Sequence, residues 1–175
     1  MLLLNSEKYN VLLDNAPTHW GGVEINTDFH AVLEFFRIID TPEERKSNEV
    51  KATEIISVFF KEPPKFDNEN IWEFFEEYIS CGQKVEEKER DKVFDWGYDS
   101  NLIYAAFLQA YRIDLRRSSM HWWEFKSLFD ALPEGSRLFE VIRIRGQKMP
   151  EGKTKEAAKE RYKLMRLKEK FAIKK

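Results

Sequence analysis

The stretch VEINTDFHAVLEFFRII, residues 23–39, contains the change of pattern that decides the fold. Before Thr27, apolar and polar residues alternate, which is the period of a β-strand. After Asp28, apolar residues recur at the spacing of one helical face, at Phe29, Val32, Leu33, Phe36 and Ile39. Thr27 and Asp28 can both cap this helix, because their side-chain oxygens accept hydrogen bonds from its first free N–H groups. The stretch therefore predicts a short strand followed by an amphipathic helix.

Towards the N-terminus, a second alternating segment predicts the partner of that strand. Tyr9, Val11 and Leu13 alternate with their neighbours, and the loop NAPTHWGG separates them from Val23. Proline and glycine in this loop are typical of a chain reversal. We therefore predict a small hairpin with a long connection within residues 8–26.

Towards the C-terminus, capping signals predict a series of helices. Thr41-Pro42-Glu43-Glu44 combines an N-cap, a proline at the first helical position and a capping-box glutamate, so a helix should run from there to Pro63. Residues 67–81 form the next amphipathic helix, and Gly82 is expected to end it in the left-handed conformation. Residues 84–95 are almost wholly charged and predict a surface loop or a solvated helix.

The helix predicted over residues 99–113 is apolar on most of its circumference, so we expect it to be central and buried. Residues 136–147 and 154–172 predict two further helices, separated by the hinge-like sequence PEG at 150–152. The fold class is thus mainly α, a single-domain helical bundle with a small N-terminal β-hairpin. Residues 1–150 would form the helical domain with the hairpin, and residues 151–175 a basic amphipathic C-terminal helix.

MHWWEF, residues 120–125, places two tryptophans side by side on a helix that Ser118 or Ser119 should cap. Neighbouring helical residues point about 100° apart. On a helical wheel Trp122 joins the apolar stripe, whereas Trp123 lies almost opposite, among polar residues. Either another segment of the same chain, such as the terminal helix, covers Trp123, or Trp123 is an anchor for a partner.

The terminal helix has a broad apolar face and a basic face. The apolar positions are Ala157, Ala158, Tyr162, Leu164, Met165, Leu167, Phe171 and Ala172, and the basic ones are Lys155, Lys159, Lys163, Arg166 and Lys170. Arg161 and Lys168 fall within the apolar arc, so this is not a simple core helix. It could lie across its own domain, swap onto a neighbouring subunit in a homo-oligomer, or bind a partner helix. The predicted partner-binding residues are Trp123, Arg161, Tyr162, Met165, Lys168 and Phe171.

The distribution of charge leaves a second function open. Residues 137–175 hold 14 Lys and Arg against 5 Asp and Glu, a balance of +9, whereas residues 1–136 have a balance of −11. A basic end can bind nucleic acid, or it can bind an acidic protein surface. We favour the protein surface, because no recognised nucleic-acid-reading motif accompanies the basic residues.

The inventory of chemical groups argues against an enzyme. His121 and Glu124 are one helical turn apart but lack a second pair, so we predict no metal, no cofactor and no catalytic residues. Cys81 is expected to be a small apolar residue, and a single cysteine is typical of a reducing compartment. No run approaches the ~20 apolar residues that a membrane span needs. We therefore expect a cytoplasmic protein without a membrane partner.

Several motifs together resemble the bacteriophage Gp-fifteen family of tailed phages and prophages. They are DSNLIYAAFLQAYRIDL, MHWWEFKSLFDALPEGS and FEVIRIR between residues 99 and 145, with VEINTDFHAVLEFFRII and EEYISCG before them. The resemblance covers nearly the whole chain. It is strongest in YRIDL and HWWEF, and His30 stands where an arginine is expected.

The resemblance implies a role in tail morphogenesis. Family members are encoded among tail genes near the tape-measure gene, which implies a tail assembly chaperone that binds the tape-measure protein in the bacterial host cytoplasm. A structural tail component retained in the virion is the alternative within the same resemblance. A nucleic-acid-binding module that uses the basic C-terminal segment is the alternative from charge alone.

Overall fold

A computed structural model describes residues 15–20, 22–64, 68–83 and 92–174, with the backbone alone for residues 68–70. The strands are β1 (His19–Trp20) and β2 (Val23–Glu24), and the helices are α1 (Phe29–Ile39), α2 (Asn48–Phe59), α3 (Asn68–Ile79), α4 (Ser100–Tyr111), α5 (Trp122–Asp130), α6 (Arg137–Gly146) and α7 (Lys155–Phe171). The predicted class, mainly α with a small N-terminal hairpin, is confirmed.

The chain divides into two compact units. The first contains the hairpin with α1, α2, α3 and α5, and the second contains α4, α6 and α7. The predicted division into residues 1–150 and 151–175 stays a prediction.

In the first unit, α1 begins where the sequence indicates. The carboxylate of Asp28 caps the helix by accepting a hydrogen bond from the backbone N–H of His30 at 2.8 Å. One residue further, the ring of Phe29 stacks on Phe125 of α5, with 4.5 Å between the ring centroids. The backbone of Thr27 also accepts a hydrogen bond from the N–H of Trp122 at 2.8 Å, so α1 and α5 begin side by side.

The core of the first unit is built mainly from aromatic rings. Phe35, Phe59 and Phe75 come from three different helices and are each at most 8% exposed. The ring of Phe75 lies 5.2 Å from that of Phe35 and 4.9 Å from that of Phe59. Such tilted and edge-to-face pairs add to the stabilisation from buried area. They join α1, α2 and α3 into one core.

The hairpin is shorter than predicted. Trp20 pairs with Val23 and His19 with Glu24, so only residues 21 and 22 connect the strands and the predicted long connection is wrong. Gly22 has φ +83°, a conformation that suits glycine in a tight hairpin turn. The predicted partner strand at Tyr9 to Leu13 lies outside the described residues.

The helix α2 begins later than its capping signals indicate. Thr41 does not start a helix, because its hydroxyl donates backwards to the carbonyl of Arg37 at 2.9 Å and so closes the end of α1. Residues 42–46 form turns, and α2 starts at Asn48 after Ser47. The helix α3 ends as predicted, with Gly82 at φ +71° and its N–H bonded to the carbonyl of Glu77 at 2.9 Å.

In the second unit, α6 packs against both α4 and α7. The prediction that the helix of residues 99–113 is central and buried is wrong. Of α4, Ile103, Ala106 and Phe107 are buried, whereas Leu108 is 39% exposed. A nearly continuous apolar circumference therefore does not make this helix central. Residues 84–91, most of the predicted charged segment, lie outside the described residues.

Candidate protein-binding surface

The side chain of Arg161 stabilises the turn through which the chain enters α7. Gly152 adopts φ +117°, and Thr154 caps the helix by accepting from the N–H of Ala157 at 3.1 Å. The guanidinium of Arg161 donates from Nη1 to the carbonyl oxygens of Gly152 at 2.6 Å and Pro150 at 3.3 Å. Arg161 therefore acts within the second unit.

One stripe of α7 faces its own unit. Positions 157, 161, 164, 168 and 171 are separated by alternating steps of four and three residues, which is the spacing of a helix-packing seam. Leu164, at the middle of the stripe, is 6% exposed. The ring of Phe171 lies beneath the guanidinium of Arg137 in α6, 4.9 Å from its centre, in a cation–π contact. This stripe holds α7 on α6.

Arg145, in the last turn of α6, joins three segments of the second unit through its guanidinium. Nη1 and Nη2 donate to the two carboxylate oxygens of Asp99 at 2.7 and 2.9 Å. Nε donates to the carbonyl of Phe171 at 2.6 Å, and Nη1 also reaches the carbonyl of Val93 at 3.1 Å. One buried side chain therefore connects the start of α4, the end of α6 and the end of α7.

The pair of Arg145 and Asp99 is stabilising only because its remaining hydrogen-bonding groups are also satisfied. The side chains are 7% and 1% exposed, so both charges are removed from water. Oδ2 of Asp99 accepts a further hydrogen bond from the N–H of Asp95 at 3.1 Å. Loss of one partner from such a pair leaves an unpaired buried charge and typically costs about 3–5 kcal/mol.

Lys168 lines an open groove of the second unit. The groove has a volume of about 410 Å³ and is lined by Lys92, Arg145, Lys168, Ala172 and Ile173. Arg145 is committed to Asp99, and Lys92 forms an ion pair with Asp95 at 2.7 Å. Lys168 is half-buried in this groove and lies on the packed stripe of α7.

The opposite side of α7 exposes two large apolar side chains. Tyr162 is 58% and Met165 is 48% exposed, and residues three apart on a helix are surface neighbours. A row of exposed cations runs beside them, formed by Lys155, Lys159, Lys163, Arg166 and Lys170. We call Ala158, Tyr162 and Met165 with this basic row the outer face of α7. Aromatic residues, methionine and arginine are enriched at protein-binding surfaces, and lysines are found mainly at the polar rim.

The adjacent tryptophans of α5 both bind the end of α3. Nε1 of Trp122 donates to the carbonyl of Ile79 at 3.0 Å, and Nε1 of Trp123 donates to the carbonyl of Tyr78 at 2.9 Å. The last carbonyls of a helix lack partners within the helix, and these two bonds help to satisfy them. The carbonyl of Tyr78 also accepts from the N–H of Cys81 at 3.2 Å.

The interpretation of Trp123 as an outward-facing anchor is wrong. Its side chain is 1% exposed, the same as that of Trp122. The end of α3 covers it, as the hydrogen bond to the carbonyl of Tyr78 shows, so another segment of the same chain buries Trp123. A helical wheel assumes one buried side, whereas α5 contacts α1 on one side and α3 on another.

The cap of α5 also differs from the prediction. His121, and not Ser118 or Ser119, is the N-cap: its Nδ1 accepts from the N–H of Trp123 at 3.0 Å. The other ring nitrogen, Nε2, lies 3.1 Å from the carbonyl of Pro17 and donates to it. Burial lowers the pKa of His121, which favours the neutral ring that this arrangement requires. Ser119 instead donates its hydroxyl to the carboxylate of Asp28.

The described residues hold no group of three or more His, Cys, Asp or Glu side chains that could bind a metal ion. Burial raises the pKa of the Cys81 thiol to about 12, so the thiolate that a nucleophile requires is scarce at neutral pH.

The structure thus separates the six predicted partner-binding residues. Trp123 is buried in the first unit, and Arg161, Lys168 and Phe171 belong to the packed side of α7. Only Tyr162 and Met165 share an exposed surface. The sequence reasoning missed Arg145 and Asp99, although Arg145 lies four residues after the buried Val141 and so continues the apolar stripe of α6.

The described residues thus form a mainly helical fold in which α7 exposes an apolar and basic face. The chain belongs to the family described as Bacteriophage Gp15 protein, whose match covers residues 20–173. The resemblance carried by YRIDL and HWWEF is therefore confirmed, and the chain is a phage-family protein. Comparisons with curated proteins and with solved structures find no match. No helix in the described part of the chain is long and apolar enough to cross a membrane.

Proposed function

We propose that this chain is a non-enzymatic tail-morphogenesis protein of a phage or prophage. It acts as a tail assembly chaperone that binds the tape-measure protein in the host cytoplasm. Membership of the Bacteriophage Gp15 family supports a phage role, and the resemblance to tail-module proteins supports the more specific one. The main structural support for the proposal is the outer face of α7, where Tyr162 and Met165 are exposed beside the basic row.

The outer face of α7 suits a helical partner. Ala158, Tyr162 and Met165 follow one another by four and three residues, as anchors do along the seam of two packed helices. Tyr162 offers a large ring with a polar end, and Met165 adapts its shape to irregular surfaces. The basic row would meet acidic side chains on the partner and fix its orientation. A long helical tape measure offers many such turns.

The chemistry of the described residues supports a binding role without catalysis. Cys81 is a poor nucleophile, and the neutral ring of His121 is committed to capping α5. Tyr78 is also buried, and burial raises the pKa of its phenol above the ordinary value. These groups stabilise the fold of the first unit.

Co-expression with the tape-measure protein of the same phage tests the function. The tape measure should be soluble and should elute with this chain in a pull-down and in size-exclusion chromatography. When Tyr162 and Met165 are both replaced by Glu, the tape measure should be insoluble. With Leu108→Glu, a substitution at an exposed position of α4, the tape measure should stay soluble. A tape measure that is equally soluble with every variant, or never retained, would contradict the proposal.

The basic row of α7 favours nucleic-acid binding as the second candidate function. Five exposed cations along one helix could contact a run of phosphates. For binding of this kind, the logarithm of the binding constant falls linearly with the logarithm of the salt concentration. The slope is roughly −0.9 for each phosphate neutralised in duplex DNA. Binding to DNA with a steep slope, removed by truncation after Pro150, would favour this candidate over the chaperone.

A further inference from the structure

The first unit has an open apolar groove between α2 and α3. Its volume is about 230 Å³, and it is lined by Asn48, Glu49, Ala52, Ile55, Ile56, Ile71, Trp72 and Phe75. Ile55, Ile71 and Phe75 are at most 6% exposed and form its floor. Trp72 is 42% exposed and forms a wall, with its ring centre 6.0 Å from that of Phe75.

The groove is large enough for an aromatic side chain. An apolar cavity of about 150 Å³ in another protein holds benzene, so a space of about 230 Å³ can take a tyrosine ring. The half-exposed Trp72 supplies a surface against which such a ring can stack or tilt.

The groove and the exposed surface of α3 near it carry acidic residues. Glu49 lines the groove from α2, and Glu73 and Glu76 are exposed on α3 beside Trp72. No ion pair between described residues includes any of these three carboxylates. Burial raises the pKa of Glu77 on the same helix, and so does the charge of Glu73, as expected where negative charges accumulate. The groove therefore combines an apolar floor with negative charges near it.

The outer face of α7 has the opposite combination. It presents an exposed tyrosine and methionine beside five cations. We propose that the outer face of α7 of one copy docks into the α2–α3 groove of a second copy. The ring of Tyr162 would enter beside Trp72, and the basic row would lie against Glu73 and Glu76. Opposite charges near the groove select this pairing and oppose contact between two grooves or two basic rows.

Such a contact is head-to-tail, because the two surfaces belong to different parts of one chain. Each pair of copies leaves one groove and one outer face free. Further copies therefore add until a ring closes, or continue as a filament. This differs from a two-fold dimer, in which the same surface meets itself.

The self-contact does not rest on the proposed function, because it requires this chain alone. It uses the same face of α7 that we propose for the tape measure, so the two partners exclude each other. Failure of self-association leaves tape-measure binding untouched, and failure of tape-measure binding leaves self-association untouched.

Sedimentation of the purified full-length chain over a concentration series tests the proposal. The wild type should self-associate in the micromolar range. Trp72→Lys blocks the groove and Tyr162→Glu blocks the outer face, so each variant alone should associate at least about 30-fold more weakly. Val50→Lys, at a position 46% exposed but outside the groove, and Leu108→Glu should behave like the wild type.

A mixture of the two blocked variants is the decisive sample. Each retains one intact surface, so an equimolar mixture of Trp72→Lys and Tyr162→Glu should form one-to-one dimers and nothing larger. The far-UV spectrum establishes that each variant is folded, and Trp72→Ala with Tyr162→Ala replaces any variant that is not. A monomeric wild type would overturn the proposal, as would wild-type self-association of Trp72→Lys or a mixture that stays monomeric.

Discussion

The indole nitrogen of Trp123 lies 2.9 Å from the carbonyl oxygen of Tyr78 and donates a hydrogen bond to it in the interior of the protein. Trp122 does the same to the next carbonyl, that of Ile79, at 3.0 Å. The side chains that begin α5 therefore complete the end of α3. This relationship explains why two large aromatic residues stand next to each other in the sequence.

Substitution of Trp123 should destabilise the fold. Trp123→Ala removes a buried ring and should lower the free energy of unfolding by about 3–5 kcal/mol, because large aromatic truncations leave cavities. Trp123→Phe keeps most of the volume but removes the hydrogen bond to the carbonyl of Tyr78, which still accepts from the N–H of Cys81 at 3.2 Å. This loss should cost about 0.5–1.5 kcal/mol. Urea unfolding followed by circular dichroism measures both values.

Trp72→Ala is the matched control for these substitutions. Its side chain is 42% exposed, so the loss should be about 1 kcal/mol or less. Equal stability of Trp123→Ala and the wild type would show that Trp123 is not part of the core.

Arg145→Met should release the end of α7. The substitution leaves the carboxylate of Asp99 buried without its cation, and the free energy of unfolding should fall by about 3–5 kcal/mol. Since Nε of Arg145 also binds the carbonyl of Phe171, amide exchange near that end of α7 should accelerate. Hydrogen exchange with mass spectrometry measures this region separately.

Arg143→Met, on the same helix but exposed, controls for the loss of an arginine. It should leave amide exchange in α7 at the wild-type rate. If both variants exchange alike, Arg145 does not hold the helix.

The local signals in the sequence predicted the start of α1 and the end of α3, but not the start of α2 or the cap of α5. Asp28 caps α1 and Gly82 ends α3 because each acts on backbone groups a few residues away. The burial of Trp123 and the pairing of Arg145 with Asp99 depend instead on segments 45 and 46 residues away. A helical wheel contains no information about such neighbours. The sequence pattern places Tyr162 and Met165 on one broad apolar face with the buried Leu164, so their exposure depends on which part of that face packs on α6.

Cys81 should react slowly in the folded protein. Burial raises its pKa to about 12, so the thiolate fraction at pH 8 is about 10⁻⁴. Alkylation by iodoacetamide at pH 8 should be at least about 100-fold slower in buffer than in concentrated urea, where the pKa returns to ~8.5. Mass spectrometry follows the modification, and equal rates in the two solvents would contradict the burial of this thiol.

Protonation of His121 should destabilise the first unit. Its pKa is lowered in the folded state, so the unfolded chain binds a proton more readily as the pH falls below ~6.5. Stability is therefore fully present above ~6.5 and is lost as the pH falls through the folded-state pKa. Protonation at Nδ1 would also break the cap, since that nitrogen accepts from the N–H of Trp123.

The variant His121→Asn isolates this effect, because asparagine is a good N-cap that does not titrate in this range. Urea unfolding between pH 7 and pH 5 should show a smaller loss of stability for the variant than for the wild type. If both proteins lose the same stability between pH 7 and pH 5, a group other than His121 is responsible for the loss.

The central claim is that the outer face of α7 binds the tape-measure protein. Isothermal titration calorimetry, in the Trp72→Lys background that blocks self-association, tests it most directly. Replacement of Tyr162 and Met165 by Ala should weaken binding by at least about 30-fold, the scale of an interface hot spot, whereas Glu160→Ala should leave the affinity unchanged. Equal affinity of all three proteins for the tape measure, or no heat of binding for the parent, would contradict the claim.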